Sequence, residues 1–167
     1  AAARLIVAGA GPHFCAGMDL KPDNPLAARI LPAVMEKKPG LAREIIEELK
    51  SCLAPLRSFP APVIAAIEGV CLGGGLELAL CCDVRIAGVS AKLGLPEVRI
   101  GMVPDVGGIS LLTRLVGPGR AAMIICGGNA ITADEAHRLG LVDLPELGRR
   151  KGWRKAWKRK RESESER

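Results

Sequence analysis

The stretch from Pro62 to Asp83 constrains this chain more than any other. Val63-Ile64-Ala65-Ala66-Ile67 is an unbroken apolar run, Gly73-Gly74-Gly75 follows, and Leu76 to Cys81 then has helical character with one acid, Glu77. A short apolar run bounded by turn signals reads as a buried strand. Glycines let the backbone come close to a neighbour, and the first amides of a helix lack intrahelical acceptors. Val84-Arg85-Ile86-Ala87 returns as strand. Strand, helix and strand at this spacing predict parallel pairing within an α/β fold.

Arg4-Leu5-Ile6-Val7-Ala8 is a buried strand that opens into Gly9-Ala10-Gly11-Pro12 and needs neighbours on both sides. Gly9-x-Gly11 invites a dinucleotide-binding reading, but Phe14 stands where a third small residue is required and no helix follows, so that site is rejected. Leu20 to Pro39 carries four prolines and its conformation is not readable. Leu41, Ile45, Ile46, Leu49, Leu53 and Leu56 recur at helical spacing, opposite Arg43, Glu47, Glu48 and Lys50, which predicts a helix with one side on the core. Further on, Gly94 to Glu97 and Gly101 to Gly108 are loops. Helices follow over Ile109 to Val116 and Pro118 to Cys126, broken at Gly117. Thr132-Ala133-Asp134-Glu135 is a capping-box pattern, Gly140 ends that helix, and Leu141-Val142 starts a strand.

Composition narrows the function classes. With 167 residues, 49% of them hydrophobic, the chain suits one domain with a sizeable core. It has two Phe, two Trp and no Tyr, too few aromatics for a base-stacking surface. The net charge of +6 misleads: Arg149 to Arg167 holds ten Lys/Arg against three Glu, which leaves fourteen basic and fifteen acidic residues for the body. Any electrostatic attraction to polyanions belongs to that tail. Six cysteines in mostly apolar surroundings, without C-x-x-C spacing, argue against zinc and a disulfide framework and point to a reducing, cytoplasmic setting. Glu68, Glu77 and Asp83 interrupt the longest apolar run, so no membrane span is expected.

Three acids stand out. Glu77 lies among Leu76, Leu78, Ala79 and Leu80, where desolvation would raise its pKa toward the range useful for proton transfer. Glu97 and Asp105 lie in glycine- and proline-bearing loops. Each could instead be an ordinary surface carboxylate, which such acids more commonly are. The glycine triplet could serve a carbonyl oxygen that gains negative charge, or simply a tight strand–helix packing, and spacing alone does not choose. His13 and His137 have no partners at metal spacing and read as structural, so no metal site is expected.

The segments Phe14-Cys15-Ala16-Gly17-Met18-Asp19-Leu20-Lys21, Pro62 to Glu68, Gly73 to Ala79, Cys82 to Ala87 and Pro96-Glu97-Val98-x-x-Gly101-x-x-Pro104-x-x-Gly107-Gly108 occur in the order of the enoyl-CoA hydratase/isomerase (crotonase) family, which this chain resembles from about Arg4 to Asp143. The resemblance implies a ClpP/crotonase-like ββα spiral core over residues 1–145. It places two oxyanion-binding amides at Met18 and Gly74, with Ala16, Asp19, Lys21 and Gly73 beside the substrate and its CoA. It gives Glu77 the role of base and Glu97 that of acid in hydrating 2-enoyl-CoA, with no cofactor beyond the CoA of the substrate. Asp105 resembles instead the dienoyl-CoA isomerases, where Glu97 and Asp105 would shuttle a proton along the acyl chain. The hydroxyacyl-CoA hydrolases rank third, because their pattern lacks an acid at Glu77.

The family is longer at both ends, with strands before Arg4 and helices after Asp143, and it assembles as trimers or hexamers. Residues 146–167 depart from its pattern and are expected to form a disordered basic tail. Trp153 and Trp157 among its lysines and arginines would suit an acidic membrane surface or RNA, which leaves open an inactive member whose tail binds polyanions.

Overall fold

The structure, a computed structural model, describes residues 4–146. The basic tail and its two tryptophans therefore lie outside the described residues. Strands β1 (Leu5–Ala8), β2 (Val63–Ile67), β4 (Val84–Gly88) and β7 (Leu144–Glu146) form one parallel sheet in that order. Strands β3 (Val70–Leu72), β5 (Lys92–Gly94) and β6 (Ile131–Thr132) form a second sheet, with β3 and β5 parallel and β6 antiparallel to β5.

The two sheets are wound together. After β2 the chain turns at Gly69, enters β3 and then helix α3 (Gly74–Leu80); after β4 it enters β5, a 3-10 helix (Pro96–Ile100) and helix α4 (Gly108–Val116). Each turn thus adds one strand to each sheet and ends in a helix, which is the expected ββα spiral. The first turn repeats the plan with β1, a parallel bridge from Cys15 to Cys71, and the helices α1 (Pro25–Met35) and α2 (Pro39–Arg57). Helices α5 (Pro118–Gly127) and α6 (Ala133–Arg138) complete the described chain.

Sequence accounts for the centre. All five residues of β2 are buried, because β1 and β4 flank the strand and side chains cover both its faces. Ile64, Ile67, Leu76, Leu93, Leu95 and Leu112 are fully buried, each contributing roughly 1.5–3 kcal/mol by leaving water. Arg85, 4% exposed, is satisfied by the carbonyls of Leu141 at 2.9 Å and Cys82 at 2.7 Å and by the Asp143 carboxylate at 3.3 Å. It ties β4 to the segment leading into β7.

β1 is half-buried, with β2 its one strand partner among the described residues. Several expectations are corrected. The unreadable proline-rich region holds α1, started by Asn24, whose side-chain oxygen accepts from the Leu26 N–H at 3.0 Å, and by Pro25. α2 buries only Ile45 completely, in a small cluster with Ile30 and Ala33 of α1, rather than laying a whole face on the main core. Leu141 and Val142 do not start a strand. Their N–H groups both donate to the Ala136 carbonyl, closing the end of α6, and β7 begins at Leu144. Cys71, Cys81 and Cys82 are buried as expected, but Cys52 and Cys126 are exposed.

Candidate active site

Gly73 ends β3 with φ 55°, a left-handed value open to glycine, and the chain then starts α3. A Cβ at Gly74 would lie 3.9 Å from the Gly17 Cα and 4.0 Å from the Met18 nitrogen. Met18 and Gly74 therefore lie close together on the border of one cavity, and neither amide donates a hydrogen bond among the described residues. Gly17, at φ 96°, makes this approach possible: a Cβ there would stand 2.9 Å from the Leu72 carbonyl oxygen.

Glu77 is one helical turn into α3 and only 2% exposed. Its Oε1 accepts the Gly108 N–H at 2.8 Å, so the carboxylate satisfies an otherwise unpaired amide at the start of α4. Burial pushes its pKa up to about 7, against the pull of the Gly108 and Val106 backbone groups and with added repulsion from Glu97 and Asp105. Desolvation outweighs the helix-end amide here. No side chain fits at Gly108, where a Cβ would be 2.9 Å from Glu77 Oε1 and 2.7 Å from the Pro104 Cβ.

Glu97 reaches the same space from the 3-10 helix. A Cβ at Gly73 would stand 3.1 Å from its Oε1, and its Oε2 is buried with no hydrogen-bond partner among the described residues. Burial raises its pKa, its own backbone N–H lowers it, and Asp105 adds repulsion. Asp105 is likewise raised by burial, while its own backbone N–H and the Lys50 ammonium lower it. A buried carboxylate oxygen without a partner is costly unless a ligand or water completes it.

These groups line one cavity of about 600 Å³. Ala16, Met18, Asp19, Gly73, Gly74, Glu77, Glu97 and Asp105 all border it; Lys21 is exposed and does not. Its remaining wall is mostly apolar, with Leu26 and Ile30 of α1, Leu49, Cys52 and Leu53 of α2, and Met102 and Val103. Sequence reading missed that wall because α1 itself was hidden among prolines. It also missed Gly108 as the partner of Glu77, although the Gly107-Gly108 pair was visible. His13 and His137 are structural: the Val70 N–H donates to His13 Nδ1 at 3.2 Å, and His137 Nδ1 bonds the Val142 carbonyl at 3.0 Å. Among the described residues no cluster could hold a metal ion, and no helix is long and apolar enough to cross a membrane.

The family model for enoyl-CoA hydratase/isomerase matches residues 2–146. The chain belongs to that family. Its spiral is accordingly the crotonase fold. The chain is 44% identical over 140 residues to the crotonyl-CoA hydratase of Syntrophomonas wolfei, covering 83% of this chain and 50% of that protein. It is 40% identical over 141 residues to the enoyl-CoA isomerase/hydratase fer4 of Mycosarcoma maydis, covering 83% of this chain and 47% of that one. Among solved structures, the enoyl-CoA hydratase of Thermoplasma volcanium superposes with a TM-score of 0.75 at 35% identity, over 93% of this chain and 57% of that one. The chain thus spans about half the length of the curated relatives it matches. Crotonase relatives named for hydration and for isomerisation both align to the segment that carries the three acids.

Proposed function

We propose that this crotonase acts on acyl-CoA thioesters and hydrates 2-enoyl-CoA to 3-hydroxyacyl-CoA. The observation that carries this reading is the convergence on one cavity of the Met18 and Gly74 amides, unpartnered among the described residues, with the buried Glu77 and the half-buried Glu97. The thioester oxygen sits between the two N–H groups, which stabilise it most when it carries enolate charge. Glu77 takes a proton from water as the water oxygen bonds to C3, and the alkene electrons move onto the thioester. Glu97 then protonates C2. A proton passing from Glu77 to Glu97 restores both groups. The raised pKa values of the two acids support these roles: burial pushes both up, and Glu77, at about 7, can hold or release a proton near neutral pH.

Asp105 favours a second reading. It borders the same cavity and repels Glu97, so Glu97 and Asp105 could move a proton between two carbons of a dienoyl chain. The test is an assay of the protein with crotonyl-CoA and a 3,5-dienoyl-CoA side by side. Glu97→Gln abolishes turnover of both. Asp105→Asn leaves hydration within about threefold but lowers isomerisation by roughly 10²-fold or more, the usual weight of a general acid or base. Full turnover by Glu97→Gln would remove Glu97 from the chemistry.

A further inference from the structure

The 3-10 helix carrying Glu97 has no buried residue of its own, so something outside it must fix the carboxylate's position. Its main packing partner is α5. Arg99 makes the connection. Its Nε donates to the Gly128 carbonyl at 2.8 Å, and its terminal nitrogen donates to the Asn129 side-chain oxygen. Gly128 is the C-cap of α5, with φ 59°, and a Cβ there would be 2.7 Å from the Val98 Cγ1 and 3.3 Å from the Arg99 Cγ. The helix is therefore seated on a position where a side chain would push it away.

Residues two apart on a helix of three residues per turn point in different directions. Glu97 points toward Gly73 and the cavity; Arg99 also borders that cavity, while its guanidinium reaches the end of α5 at Gly128 and Asn129. We propose that Arg99 is a positioning residue for Glu97, its guanidinium locking the short helix to Gly128 and Asn129 so that the Glu97 carboxylate stays in the cavity. The planar guanidinium suits this task because it donates in two fixed directions at once, which a lysine cannot reproduce. The kinetic part of the proposal rests on Glu97 acting on the substrate as described above. The structural part does not.

Two readouts separate the two parts. The first is a carbon-13 NMR titration of the Glu97 carboxyl in the full chain labelled at glutamate, with the resonance assigned by its loss in Glu97→Gln. Wild type titrates above the ordinary carboxylate range. In Arg99→Ala the midpoint falls back toward that range as the carboxyl gains water, and Arg99→Lys lies between. The second readout is hydration of crotonyl-CoA. Because a displacement of about 1 Å can cost roughly 10²-fold in rate, Arg99→Ala lowers kcat by about that factor, while KM stays within about threefold. Asn129→Ala, at an exposed position, produces smaller changes of the same sign, and the double variant is no worse than Arg99→Ala alone, since both remove one connection.

An unchanged Glu97 midpoint in Arg99→Ala overturns the clamp. So does a rise in KM with kcat unaltered, which would make Arg99 a substrate contact. If Arg99→Ala does not fold, the same comparison is made with Asn129→Ala, and an unchanged midpoint there overturns the clamp equally. If wild type turns over neither thioester, the functional reading fails and the titration still decides the positioning role.

Discussion

Burial of Glu77 sets stability and activity against each other at a single residue. Its ordinary pKa of 4.5 is raised to about 7 in the folded chain, so between those values the folded state holds a proton that the unfolded state has released. Stability is fully present below about pH 4.5 and declines as pH rises to about 7, by roughly 3 kcal/mol from this residue. Glu77→Gln removes that slope while its amide oxygen can still accept the Gly108 N–H. The variant therefore melts at a higher temperature than wild type at pH 8, with the gap closing toward pH 5, and it hydrates crotonyl-CoA at least 10²-fold more slowly. Melting curves across pH check the first part. In wild type, kcat/KM for hydration falls on the acid side with a midpoint near 7, a value belonging to the interacting carboxylates together rather than to one of them.

At the scale of elements, sequence was most legible where local chemistry decided the outcome. The expected Thr132 cap is present, with Thr132 Oγ1 accepting from the Glu135 N–H at 3.1 Å. Thr132→Ala should lower stability by about 1 kcal/mol, measured by denaturant titration, and leave turnover unchanged because α6 does not border the cavity. β2, α4 and α5 were legible for the same reason: long apolar runs or glycine and proline at their ends. β3 and β5 were not. Each has three residues and exists by pairing with the other across some twenty positions, a long-range event that leaves no local periodicity. Leu141-Val142 misled in the opposite way, since its apolar character reflects burial while its amides serve the end of α6. Glu77, Glu97, Met18 and Gly74 were legible as candidates through motif resemblance. Their convergence, the Gly108 contact and the Arg99 connection needed the fold.

Across the whole molecule, the spiral brings together residues from its three successive turns: Met18 from the first, Gly74 and Glu77 from the second, Glu97 from the third. Alignment of the turns depends on how firmly the parallel strands are fixed, and Arg85 anchors β4 to the approach to β7. Arg85→Met should destabilise the chain by about 3–5 kcal/mol, as expected when a buried ionic partner is removed, with hydrogen exchange rising first at the β7 amides. Gly73, Gly74 and Gly75 show how tightly the turns interlock. A Cβ on Gly73 would crowd Glu97, one on Gly74 would rest in ordinary contact with the Gly17 Cα and the Met18 nitrogen, and one on Gly75 would overlap the Cys15 carbonyl oxygen. The tract thus answers to two other turns of the chain, Gly73 to the third and Gly74 and Gly75 to the first. In evolutionary terms the tract is not a supple hinge: Gly73 and Gly75 could each change only alongside a compensating change in a different, distant neighbour, so drift of both together is closed to single-step mutation.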